Sequence, residues 1–225
     1  MMWGEARPLF KIINVSTMPV KLARWIEMAG VFLGIPLLLS ADFVPRPKIL
    51  ALLAVCIACL VLLWRDKTFD HSRSGLNGFR NWRTLSIRFV IISSCLALYM
   101  VLIEPENVLA ILRSNPTLWA LIMITYPVLS VVPQEIIYRA FFFHRYGSLF
   151  TNKSIGIVLN AALFAFAHIL FRNWVAVIGS FIAGLLWATT YLGSKSLLVV
   201  TLEHALYGNF VFTLGMGYYF YAPDF

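Results

Sequence analysis

Residues 117–146 read Thr-Leu-Trp-Ala-Leu-Ile-Met-Ile-Thr-Tyr-Pro-Val-Leu-Ser-Val-Val-Pro-Gln-Glu-Ile-Ile-Tyr-Arg-Ala-Phe-Phe-Phe-His-Arg-Tyr. No charge interrupts this run before Glu135. About 20 helical residues cross a bilayer core, so the stretch is too long for one simple crossing. Pro127 and Pro133 lie inside it, and each removes a backbone donor and crowds the preceding turn. The pattern predicts a membrane helix broken near Pro127/Pro133, with Gln134-Glu135 starting just after the break. Irregular backbone at that depth is tolerated where it faces protein or a wet cavity.

Working outward, similar apolar runs cover about 22–39, 49–64, 84–103, 155–171, 174–192 and 196–214. Of the 225 residues, 60% are hydrophobic and 12% charged, and mean hydropathy is +0.82. A soluble domain carries about 25% charged residues. The fold class is therefore all-α, a polytopic transmembrane bundle of seven to eight helices. Residues 1–225 form a single integral-membrane domain, with a motif-bearing core at 117–214. Punctuation falls at 42–47, at Glu104-Pro105-Glu106, and in a polar connection over 65–83. Residues 1–21 suit an interfacial segment, and the aromatic stretch 217–221 suits an interface anchor. No small-residue cleavage site follows the first run, which reads as an uncleaved signal anchor.

The net charge of +8 would suggest nucleic acid in a soluble protein. Here the basic residues lie in loops and read as orientation signals, so no nucleic-acid partner is expected. With the N-terminus in the cytoplasm and seven alternating spans, Arg7, Lys11, Lys21, Arg24, the basic residues of 65–88, Arg145, Lys153 and Lys195 fall on the cytoplasmic side. Only Arg46, Lys48, Arg113 and Arg172 fall opposite. The compact loops suit a bacterial inner membrane. Cys56 and Cys59 form a CxxC, but it sits in an apolar run, where small packing residues are the better reading.

Three segments carry ionisable groups into this apolar setting, where they are costly. They are Gln134-Glu135-Ile136-Ile137-Tyr138-Arg139, Phe164 to His168, and Glu203-His204 through Gly208-Asn209. Glu135 and Arg139 share a helix face and can neutralise each other; alone, they could be a packing ion pair. From a rise of about 1.5 Å per residue, Glu135, His168 and His204 fall in or near the middle third of the bilayer. A lone His168 would more often be a packed core residue, and Glu203 could point to a neighbouring basic group. Read jointly, one carboxylate and two histidines can activate water. A histidine and an amide can stabilise an oxyanion. Glu135, His168 and His204 could equally hold zinc, although no HExxH is present.

At these residues the chain resembles the CPBP family of intramembrane proteases, which includes type II CAAX prenyl endopeptidases and bacteriocin-processing or immunity proteins. The family pattern is Glu-Glu-xxx-Arg, then Phe-xxx-His, then a distal His with Asn or Asp about one turn later. The resemblance covers roughly residues 117–214. It implies that Glu135, Arg139, His168, His204 and Asn209 are catalytic, with Gln134, Phe164 and Glu203 supporting the substrate pocket. It implies a glutamate and the first histidine activating water, the distal histidine and Asn forming the oxyanion hole, and no obligatory metal.

Two departures stand out. Gln134 occupies the first Glu position, and an amide cannot accept a proton as a carboxylate can. Either Glu135 serves as base or the enzyme is weakened or inactive. Four residues after His204 is Gly208, and Asn209 comes one later, about 100° further round a regular helix. The leading expectation is an intramembrane endopeptidase acting on a peptide or protein in or near the lipid bilayer. A peptide-binding or immunity scaffold is the alternative, and a transporter or proton relay a third.

Overall fold

Once a chain enters hydrocarbon, its backbone groups must bond within the segment, so long apolar runs become helices. In the computed structural model, which describes residues 18–41, 48–71, 75 and 82–220, that is what they do. Seven helices dominate: α1 (Val20–Ser40), α2 (Ile49–Arg65), α3 (Trp82–Ile103), α4 (Pro116–Leu149), α5 (Lys153–Phe171), α6 (Trp174–Ser194) and α7 (Leu197–Leu214). Six are long and apolar enough to cross a membrane; α2 is shorter, at 17 residues. Among the described residues there is no strand. The interfacial segment expected over 1–21 lies almost wholly outside them, as do the punctuation at 42–47, residues 72–74 and 76–81 of the 65–83 connection, and Tyr221.

Connections between the later helices are tight. Arg172 and Lys195, both at left-handed φ, reverse the chain between α5 and α6 and between α6 and α7. Asn115, Asn152, Asn173 and Ser196 then cap α4, α5, α6 and α7 by accepting a backbone N–H with their side chains. Such caps satisfy donors that the first turn leaves free.

Contacts between helix ends define two faces. On the proximal face His144 Nε2 bonds Asp66 Oδ2 at 2.9 Å. Arg145 forks onto Glu27 at 2.8 and 2.9 Å, and the Ser196 hydroxyl donates to the Gly75 carbonyl. On the distal face the Leu109 N–H donates to the Leu214 carbonyl at 2.9 Å. There Asn173 Nδ2 also donates to the Tyr219 carbonyl at 2.7 Å. The helices therefore alternate in direction along the chain.

The centre is α4. Every residue from Glu135 to Phe143 is buried, as befits a helix surrounded on all sides. Phe32 of α1 packs edge-on against Tyr138 and Phe142, at 5.1 and 5.5 Å between rings. Outer helices turn Ile57, Ile87, Leu98, Ile155 and Ile178 outward. That apolar surface suits lipid.

The break expected near Pro127 and Pro133 takes the form of wide turns. Pro127–Val131 and Ile136–Phe141 are π-helical, and Val132–Glu135 between them is α-helical. The path stays helical throughout because widening the turn accommodates a missing N–H without unwinding the segment. Such π turns concentrate at functional sites.

The α5–α6 pair packs backbone to backbone. A Cβ on Gly184 would stand 2.9 Å from Ala161 Cα and 3.1 Å from its Cβ. Overpacking a well-filled contact costs about 1–3 kcal/mol. Gly184→Ala is therefore expected to lower unfolding stability in detergent by that amount. Gly179→Ala, whose Cβ would meet nothing within 4 Å, is expected to leave stability unchanged or raise it slightly.

Candidate active site

Glu135 has none of its surface exposed, and neither has Arg139. One turn apart on α4, they approach to 3.3 Å between Oε2 and Nε. Arg139 Nη1 donates to Asn160 Oδ1 of α5 at 2.8 Å, and Asn160 Nδ2 donates back to the Tyr138 carbonyl at 2.6 Å. The other oxygen of Glu135 accepts from His204 Nδ1 of α7 at 2.8 Å. A carboxylate oxygen only accepts, so Nδ1 carries the proton and the neutral ring offers Nε2 as acceptor. The Tyr126 hydroxyl lies 3.2 Å from that nitrogen. A single polar chain thus runs from Tyr126 through His204, Glu135 and Arg139 to Asn160. Aromatic rings sheathe it: Trp187 stacks on His204 at 3.6 Å, and the Arg139 guanidinium lies 5.0 Å above the Phe164 ring.

Two glycine- and proline-directed contacts hold the α7 end of this chain. A Cβ on Gly208 would overlap the Tyr126 ring, so glycine there lets the phenol reach His204. Pro127 has no N–H to give the Met123 carbonyl one turn back, and Asn209 Nδ2 donates to that carbonyl at 3.2 Å. The Asn209 amide thus serves the proline gap in α4. Its oxygen makes no hydrogen bond. Tyr126 went unnoticed in the sequence, where its one signal was the small residue a turn after His204.

The second histidine lies elsewhere. The regular part of α5 ends at Ala167, and His168 opens a 3-10 turn that stops at Arg172. It therefore sits in the last turn of α5, near the distal end of that helix. The Phe164 ring meets both imidazoles, at 4.7 Å from His168 and 6.0 Å from His204. His168 Nδ1 donates to the Phe164 carbonyl at 2.8 Å. Since a carbonyl only accepts, the neutral ring keeps its lone pair on Nε2.

His168 lines a cavity of about 410 Å³ between α1, α2, α4 and the distal end of α5. Gln134 lines it too, its amide donating to Ser130 Oγ at 2.7 Å. The rest of the wall is mostly apolar, including Phe32, Leu52, Ile137 and Phe171, with Lys48 toward the distal face. The motif carboxylate is thus sealed inside the protein, while the amide beside it faces the cavity.

Glu203 points away from His204 and pairs with Arg88 of α3, whose Nη2 also donates to Thr190 at 2.7 Å. Among the described residues no group of three or more His, Cys, Asp and Glu side chains is arranged to hold a metal ion. Glu135 and His204 are bonded to each other, and His168 belongs to a different environment.

Residues 116–221 match the family described as type II CAAX prenyl endopeptidase Rce1-like. Neither the curated proteins nor the solved structures yield a match. The matched segment is α4 to α7 with the turn that follows, and it supplies every member of the buried polar chain and, from the cavity wall, Ser130, Gln134 and His168. Over that segment, a little under half of the chain, the protein is similar to the Rce1-like family of type II CAAX prenyl endopeptidases.

Proposed function

We propose that the chain is an intramembrane endopeptidase that cleaves a peptide segment held in the α1–α2–α4–α5 cavity, with His168 as general base. The observation that carries this reading is the 2.8 Å contact of His168 Nδ1 with the Phe164 carbonyl. A carbonyl accepts the Nδ1–H, so an unprotonated Nε2 remains on a ring of the cavity wall. Water would give a proton to Nε2 while its oxygen attacks the peptide carbonyl carbon. The tetrahedral intermediate would collapse with breakage of the C–N bond. The imidazolium would return its proton to the leaving amine, restoring the neutral ring.

Gln134 would orient the water through its amide oxygen and offer a second N–H to the oxyanion, its other N–H being held by Ser130. Glu135 would act through His204 and Arg139 by positioning them, in place of the base role that its sequence position suggests. The reaction would need no metal.

The cavity's distal position bears on where the peptide enters. Lys48, Phe171 and Phe220 line it at the face opposite most of the basic residues. By the positive-inside tendency that face lies away from the cytoplasm. The peptide would then be drawn from the outer half of the bilayer.

A second reading has its own observation. Gln134 stands where a carboxylate would be the stronger base, and Glu135 has no exposed surface. A scaffold that binds peptides without cutting them would look the same.

Cleavage of an apolar peptide by purified protein in proteoliposomes separates the two. The enzymatic reading expects products from the native chain and a loss of about 100-fold or more in kcat with His168→Ala, the usual scale for a general base. Gln134→Glu is expected to raise the rate. Binding without products, in both the native chain and Gln134→Glu, would support the scaffold. A strong chelator is expected to leave the rate unchanged, whereas loss of activity restored by added zinc would contradict the metal-free mechanism.

A further inference from the structure

Beyond α7 the chain turns back over the cavity. Gly215 adopts φ of 109°, and a Cβ there would overlap the Asn107 carbonyl oxygen, so this turn is seated tightly on the α3–α4 connection. The next five residues, Met216–Phe220, form a 3-10 strap. Two helix ends hold it. The Tyr218 and Tyr219 hydroxyls both donate to Glu104, just past α3. Asn107 Nδ2 and the Tyr99 hydroxyl complete that carboxylate's shell at 3.2 and 3.3 Å. These donors, Tyr218 foremost, hold the Glu104 carboxyl below its usual range, so it is ionised at neutral pH and remains an acceptor for all of them. Asn173, which caps α6 with its oxygen, fixes the Tyr219 carbonyl with its nitrogen.

The strap ends at the cavity. Phe220 lies on its wall, its ring 6.3 Å from His168 and 6.0 Å from Phe171, edge-on to both. Phe171 is itself 5.7 Å from His168. Two aromatic rings therefore bracket the imidazole on the distal side. One belongs to α5's last turn and the other to a segment anchored elsewhere.

We propose that Phe220 is a specificity-determining residue, limiting the size of the peptide side chain accepted beside His168, and that Glu104 positions it through Tyr218 and Tyr219. This rests on the cavity being the peptide site. A rigidly tied ring next to the reacting bond excludes bulky side chains by overlap and favours small or branched aliphatic ones by contact. Removing it opens room on that side alone, leaving Gln134 and His168 in place.

The test uses the full chain in proteoliposomes and a dansyl-labelled, Leu- and Ala-rich peptide with one central position set to Ala, Leu, Phe or Trp. Binding and cleavage are measured separately. A pocket contact of this size changes discrimination by about 10- to 200-fold. Phe220→Ala is expected to shift preference toward Phe and Trp by at least about 10-fold, with Phe220→Leu intermediate. Glu104→Ala is expected to shift preference in the same direction with Phe220 intact, an effect that loss of stability alone would not produce. If peptides bind but are not cut, the same shift in binding still supports the proposal and removes only the enzymatic reading. An unchanged order of preference in Phe220→Ala overturns it, cleavage or no cleavage. Failure of every peptide to bind overturns both.

Discussion

A carboxylate with no exposed surface, at the depth of Glu135, must be neutralised where it stands. Removing an ion from water costs several kcal/mol even after relaxation, and a neighbour of opposite charge recovers that only with well-placed partners. Arg139 on the next turn supplies the charge, His204 supplies a hydrogen bond, and Asn160 holds the guanidinium. Each partner after Arg139 comes from a different helix. Satisfying one acid thus fixes how α4, α5 and α7 sit together, and Tyr126 returns the chain of contacts to α4.

The same constraint explains the small residues around it. Gly208 is glycine because the Tyr126 ring occupies the space that its side chain would take. Asn209 faces α4 because Pro127 leaves the Met123 carbonyl without its helical donor. Two features that look like departures from a catalytic pattern have structural causes in the proline-bearing helix opposite. The Phe164 ring stands between this network and His168. On one side lies the buried acid, ion-paired to Arg139 and hydrogen-bonded to His204; on the other, a cavity whose polar wall includes Gln134, Ser130 and His168.

Much of this was legible in the chain. Apolar run length placed the membrane helices to within a few residues; α6 starts at Trp174 and α7 ends at Leu214, as read. The four-residue spacing put Glu135 against Arg139, and the shared apolar setting pointed to His204 as a partner from afar. That His168 opens a 3-10 turn was not legible, since a hydrophobic run does not reveal where the regular helix inside it stops. Nor can spacing alone tell which of two adjacent side chains, Gln134 or Glu135, turns to the cavity and which to the core. That depends on the π turns flanking them, whose extra residue per turn rotates the register. Tyr126 was illegible because its role is set by what Gly208 lacks.

The network also separates two kinds of role. Glu135, Arg139 and Asn160 tie helices together, while Gln134 and His168 line the cavity and, in the proposed mechanism, would meet the peptide. The most direct measurement is a double-mutant cycle in unfolding stability with Glu135→Leu and Arg139→Met. If these groups form one buried pair, either single change strands a charge and costs about 3–5 kcal/mol, while the double change recovers much of that loss. Losses that simply add, with the double variant the least stable of the four, would contradict the coupling on which the architecture is built.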